Sequence, residues 1–91
     1  MYAVVVRETG QREAIEGSEE LLAATLLPGV REAPGVVSAS IMSDGEGATL
    51  NVLVFESEEA APAALQLTRN APRPGFLDLQ SADLYLVLAH F

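Results

Sequence analysis

Residues 2–8, Tyr-Ala-Val-Val-Val-Arg-Glu, form a short β-branched run that predicts a strand. Thr9 to Gly17 turns polar and carries Gly10 and Gly17, which predicts a loop with room for a helical turn. Ser18 is a good N-cap, and Glu19 and Glu20 suit the positive end of a helix dipole. Leu22, Thr25, Leu26 and Val30 follow at helical spacing, so a first helix is expected to about Glu32. Pro28-Gly29 kinks it or ends it early, because Pro28 has no backbone donor. Ala33-Pro34-Gly35 is a firm stop.

Val36 to Ser43 reads as a second strand, Asp44-Gly45-Glu46-Gly47 as a tight turn, and Ala48 to Glu56 as a third strand, so the two strands make a hairpin. Ser57 caps a second helix with Glu58 and Glu59 in its first turn. Ala60, Ala64, Leu65 and Thr68 give that helix its stripe, and Pro62 is expected to cost one hydrogen bond. Asn70 to Gln80 holds Pro72, Pro74 and Gly75 and reads as a loop; Ser81 to Phe91 reads as the last strand. The order is β-α-β-β-α-β, the ferredoxin-like α+β plan: a four-stranded antiparallel sheet with two helices on one face, in a single domain over residues 1–91.

The sheet face away from the helices should be polar if it meets water. The sequence is apolar on both faces of three strands. Tyr2, Val4 and Val6 oppose Ala3 and Val5; Leu50, Val52 and Val54 oppose Asn51, Leu53 and Phe55; Leu84, Leu86 and Leu88 oppose Tyr85, Val87 and Ala89. Such a face exceeds the contiguous apolar surface that monomers tolerate. The simplest cover is a second copy in two-fold symmetry, so the expected partner is the chain itself; a different protein is the rival.

Size and charge sharpen this picture. Scaling laws for 91 residues and 9.6 kDa give about 5,100 Å² of folded surface against about 14,000 Å² extended. A monomer buries roughly 63% of its chain surface, a thin margin for a chain that is 49% hydrophobic. The net charge is −8, from thirteen acidic residues and five dispersed arginines (Arg7, Arg12, Arg31, Arg69, Arg73). That balance argues against nucleic acid and against anionic membranes. With no cysteine, disulfides, thiolate catalysis and cysteine zinc sites are excluded. Leu21–Leu27 and Leu84–Ala89 are too short to span a bilayer. Met1–Arg7 lacks the basic start and long apolar stretch of a signal peptide, so the expectation is a cytoplasmic protein.

Chemistry is sparse. His90 is the single histidine: a general base or haem ligand in a functional reading, a solvated chain-end ring in the plain one. Glu19/Glu20 and Glu58/Glu59 are explained as helix N-terminal charges, and Asp44 with Glu46 as turn residues, so no metal is expected. Ser38 and Ser40 share a face of an edge strand with no base set beside them. Asn51 is a lone amide in an apolar strand, and a buried amide must find partners, in a ligand or across the sheet or dimer. Tyr85 joins an apolar ring to a polar end, suited to a pocket lining or to a core. Arg7 and Arg31 suit a ligand carboxylate or a surface ion pair, and Met42 suits packing. The ligand-pocket candidates are Asn51, Tyr85 and His90.

The Met1–Arg7 opening, the Ala33-Pro34-Gly35-Val36 helix exit, Phe55-Glu56-Ser57-Glu58-Glu59-Ala60-Ala61 and the Ala89-His90-Phe91 ending carry a resemblance. The sequence resembles the dimeric α+β barrel superfamily, among its small proteins related to antibiotic biosynthesis monooxygenase domains. The likeness runs the length of the chain and is architectural, with no motif specific to a reaction. It implies a homodimer whose two sheets form a barrel, with a cleft between sheet and helices in each subunit. Some relatives are cofactor-independent oxygenases, others degrade haem or act as isomerases. The haem-degrading relatives use a histidine on the second helix, and Glu58 to Asn70 has none, so no cofactor is expected. The cofactor-free oxygenases tend to use an asparagine and a tryptophan; this chain has no tryptophan. Three readings remain: a homodimer binding a small apolar ligand, a cofactor-independent monooxygenase or isomerase using Asn51, Tyr85 or His90, and a regulatory subunit acting through a protein partner. The sparse polar inventory favours the first over the second.

Overall fold

A computed structural model describes residues 1–17, 33–70 and 75–90; the helix expected from Ser18 to Glu32 lies outside them. The described elements are β1 (Tyr2–Gly10), α1 (Arg12–Glu16), β2 (Val36–Ser43), β3 (Ala48–Phe55), α2 (Ala60–Asn70) and β4 (Leu77–Leu86). The four strands make one antiparallel sheet in the order β2-β3-β1-β4, which is the ferredoxin-like topology. The polar stretch after β1 contains the helical turn: Ile15 N–H donates to the Gln11 carbonyl (3.0 Å) and Gly17 N–H to the Glu13 carbonyl (3.0 Å). Ile15 is buried there.

The hairpin turn closes on one side chain. Asp44 Oδ1 accepts from the backbone N–H of Glu46 (2.7 Å) and of Ala48 (3.0 Å), the local pairing that suits aspartate to turns. Gly47 has φ +97°, and its carbonyl accepts from Gly10 N–H at 2.8 Å. A Cβ on Gly47 would stand 2.7 Å from the Gly10 carbonyl oxygen, so a side chain there meets both dihedral strain and backbone.

Register sorts the strands into two faces. Tyr2, Val4, Val6 and Glu8 pair with Phe55, Leu53, Asn51 and Thr49 and share one face. Phe55, Val4 and Val6 are fully buried, and Ala61 and Leu65 of α2 complete the core against them with Ala82. Burying each large apolar side chain there contributes about 1.5–3 kcal/mol. Ser57 Oγ accepts from Ala60 N–H (3.1 Å), which ties down the turn that leads into the helix. Because α2 starts at Ala60, Pro62 lies in the first turn, where no N–H has an intrahelical partner, and the expected loss of a hydrogen bond does not arise. Glu58 and Glu59 precede the helix as turn residues.

The last strand departs from expectation. β4 begins at Leu77, not Ser81, and ends at Leu86, with Val87 adding one bond to the Met1 carbonyl (2.9 Å). The cause is a bulge opposite Arg7/Glu8: Leu77 and Leu79 face the helix side before it, and Ala82, Leu84 and Leu86 after it. The odd-to-even switch hides the strand from a period-two reading. On the open face β4 presents Asp78, Ser81, Asp83 and Tyr85, and because the strand ends at Leu86, Val87 and Ala89 lie beyond it. A second bulge at Val37 likewise switches the alternation of β2, whose helix-side residues are Val36, Ala39, Ile41 and Ser43.

Candidate functional site

Two sites emerge, one on each sheet face. On the helix side, three polar residues interrupt an apolar surface. Glu8 and Thr49 stand directly opposite each other and are each 6% exposed; Asn51 stands opposite Val6, diagonal to Glu8. Asn51 Nδ2 donates to Glu8 Oε1 at 3.0 Å. A carboxylate accepts and does not donate, so this bond fixes the amide with its nitrogen toward Glu8 and Oδ1 away from it. Asn51 Oδ1 is buried without a partner, and so is Thr49 Oγ1. Buried polar atoms are nearly always paired in native proteins, so two orphans on neighbouring residues call for an explanation. Leu79 pairs with Glu8 on one side, and Ile41 with Asn51 and Ser43 with Thr49 on the other, so the trio meets apolar neighbours and one hydroxyl.

The three residues singled out in the sequence do not converge. Asn51 is on the helix side. Tyr85 pairs with Ala3 and is half-exposed on the opposite face. His90 is exposed beyond the end of β4. Glu8 and Thr49 escaped the sequence reading, yet the alternation Tyr2, Val4, Val6, Glu8 carries the signal: it puts a carboxylate on the core face.

The face away from α2 carries an apolar stripe along its two central strands, Ala3 and Val5 on β1 with Leu50, Val52 and Val54 on β3; Ala3 and Val54 are buried in the single chain, and Val5, Leu50 and Val52 are half-buried. The edge strands are more polar, with Ser38 and Ser40 on β2 and Asp83, Ser81 and Asp78 on β4. Met42, expected to pack, is 44% exposed beside the stripe. At one end lies an open depression of about 420 Å³ lined by Arg7, Thr9, Met42, Ala48, Leu50 and Gln80, with Glu8, Ser43, Asp44 and Thr49 also bordering it. Gln80, the bulge residue, donates from Nε2 to Thr9 Oγ1 (2.8 Å). Among the described residues no carboxylate pairs with Arg7, and Arg31 lies outside them. The Asp44 carboxyl at the rim is held below the ordinary aspartate range by the N–H groups of Glu46 and Ala48.

No protein-family model and no curated protein sequence matches the chain. Solved structures do. A monooxygenase from the gene ActVA-Orf6 of Streptomyces coelicolor, crystallised with nanaomycin D, superposes with TM-score 0.63 at 19% identity, over 99% of this chain and 89% of its own. An arginine-to-serine mutant of MhuD with two manganese protoporphyrin IX molecules per active site superposes with TM-score 0.64 at 19% identity, over 100% of this chain and 98% of its own. The chain has the ferredoxin-like α+β fold of these proteins, in agreement with the resemblance in its sequence. At this identity the likeness is one of fold, and fold leaves activity open.

A porphyrin fits the residues poorly. α2 carries no histidine, and His90 is exposed beyond the end of β4. Among the described residues no three His, Asp or Glu side chains gather as a metal site, and no helix is long and apolar enough to cross a membrane.

Proposed function

We propose that the protein is a homodimer, joined open sheet face to open sheet face, in which each subunit holds a small, mostly apolar molecule on the helix side of its sheet. The observation that carries this reading is the pair of buried, unpartnered atoms Thr49 Oγ1 and Asn51 Oδ1. Two polar atoms buried without partners are costly in a closed core, whereas a ligand with one polar group would supply what they lack. Nanaomycin D and manganese protoporphyrin IX, bound by proteins of similar fold, support a ligand here without specifying it. The dimer is supported by the apolar stripe with polar flanks, the anatomy of a protein interface.

Native mass spectrometry of freshly purified protein tests both halves. The reading expects a species near twice 9.6 kDa that carries added mass, released on denaturation. A bare monomer contradicts it and turns the search to a different protein partner.

A cofactor-independent oxygenase or isomerase is the second reading. It draws on the monooxygenase among the similar structures and on the Glu8 carboxylate beside Asn51, a group able to move a proton. It predicts dissolved-oxygen uptake, or isomer formation, when the released molecule is returned to the protein, and loss of that turnover in Glu8→Gln. A ligand recovered unchanged under air removes it.

A further inference from the structure

The cross-strand rows of the open face determine how a second copy fits on it. Resting on the dimer reading above, we infer that the two-fold axis crosses the strands, so that Arg7 pairs with Asp83 of the partner subunit, and reciprocally. On this face Val52, Val5 and Asp83 form one row, and Leu50, Arg7 and Ser81 the next. Arg7, on central strand β1, is the only cation that the strands present here; the only carboxylates, Asp78 and Asp83, lie on edge strand β4. Arg7 and Asp83 are both exposed in the single chain, and among the described residues neither has an ion-pair partner. Two aligned sheets pack about 10 Å apart, and a two-fold dimer matches each face with itself. An axis along the strands would lay β1 over the partner's β3. Arg7 would then face the partner's Leu50, with the partner's Arg7 one strand away and no carboxylate near. An axis across the strands, between the two rows, lays each strand over its own copy, reversed, and each row on the other. Val52 then meets the partner's Leu50 and Asp83 the partner's Ser81. Arg7 has the partner's Asp83 one strand away, within reach of its long stem. Like charges across an interface oppose assembly and opposite ones favour it, so charge selects the second axis.

Arg7→Asp and Asp83→Arg, each alone and then mixed in equal amounts, test this by sedimentation velocity and native mass spectrometry. Each variant alone sets like charges against each other twice across the axis, so its dimer should weaken by about tenfold or more. Mixing brings opposite charges together at both places, so a heterodimer, distinct in mass from either homodimer, should form at close to wild-type strength. An ion pair inside one chain gains nothing from mixing, which separates contact between subunits from contact within one. Both positions are exposed, and far-UV circular dichroism of each variant should match the wild type. Arg7→Gln, the gentler change, should weaken the dimer in the same direction. Asp78→Arg, mixed with Arg7→Asp in place of Asp83→Arg, should not rescue it. Variants that dimerise as the wild type does, a mixture without rescue, or rescue by Asp78→Arg instead would each overturn the inference while the dimer reading stands. A wild-type protein that is monomeric throughout removes the dimer reading and this inference together.

Discussion

Glu8 and Thr49 sit on a face shared with Val4, Val6 and Phe55, and single residues there have opposite consequences for stability. Phe55 is fully buried against α2, so Phe55→Ala should cost about 3–5 kcal/mol in urea unfolding, from lost transfer energy and the cavity left behind. Thr49→Val should do the reverse in ligand-free protein. It removes an unpartnered hydroxyl and adds a methyl group, so stability should hold or rise by about 1 kcal/mol. A loss of similar size would mean that the hydroxyl has a partner in solution. Asp44 supplies a pH signature. Its folded pKa is lowered by two backbone N–H groups, so its contribution is complete above the ordinary aspartate value, about 3.9, and disappears as pH falls through the lower folded value. The difference in thermal midpoint between wild type and Asp44→Ala should therefore be constant near neutrality and shrink in that acid window. A difference that grows on acidification contradicts the turn geometry.

At the scale of elements, the hairpin depends on two glycine backbones meeting, Gly47 against Gly10. Gly47→Ala meets positive φ and a carbonyl at 2.7 Å, and should destabilise the fold by about 1–3 kcal/mol in the same unfolding measurement. The strength of local signals also explains what the sequence reveals of the fold. Val36–Ser43, Ala48–Phe55 and the turn between them follow directly from β-branched runs bracketing an Asp-Gly pair. The Ser57 turn is equally local. β4 is not: its bulge breaks the alternation at Gln80, and a strand whose face switches midway resembles a loop followed by a shorter strand. Bulges arise from pairing with a neighbour, here β1, which one segment alone does not display. The polar trio was half legible. Asn51 stands out as an amide among apolar residues, whereas Glu8 sits at the edge of the run that predicts β1, and Thr49 is an ordinary strand residue until the register places it opposite Glu8.

For the whole molecule the open face decides the account. Ala3, Val5, Leu50, Val52 and Val54 form a continuous stripe on the two central strands, flanked by serines on one edge and aspartates on the other. A second copy laid across it would cover Val5, Leu50 and Val52, which the single chain leaves half-buried, and would enclose the depression around Arg7. An arginine enclosed in that way would need an anionic partner across the interface, and the association would then weaken with salt. The most direct test is sedimentation velocity at micromolar concentration, comparing wild type with Val52→Asp, a charge set in the centre of the stripe. The account predicts a wild-type mass of twice 9.6 kDa and a folded monomer for the variant. A wild-type protein that sediments as a monomer, or a variant that dimerises as the wild type does, contradicts the sheet-to-sheet assembly.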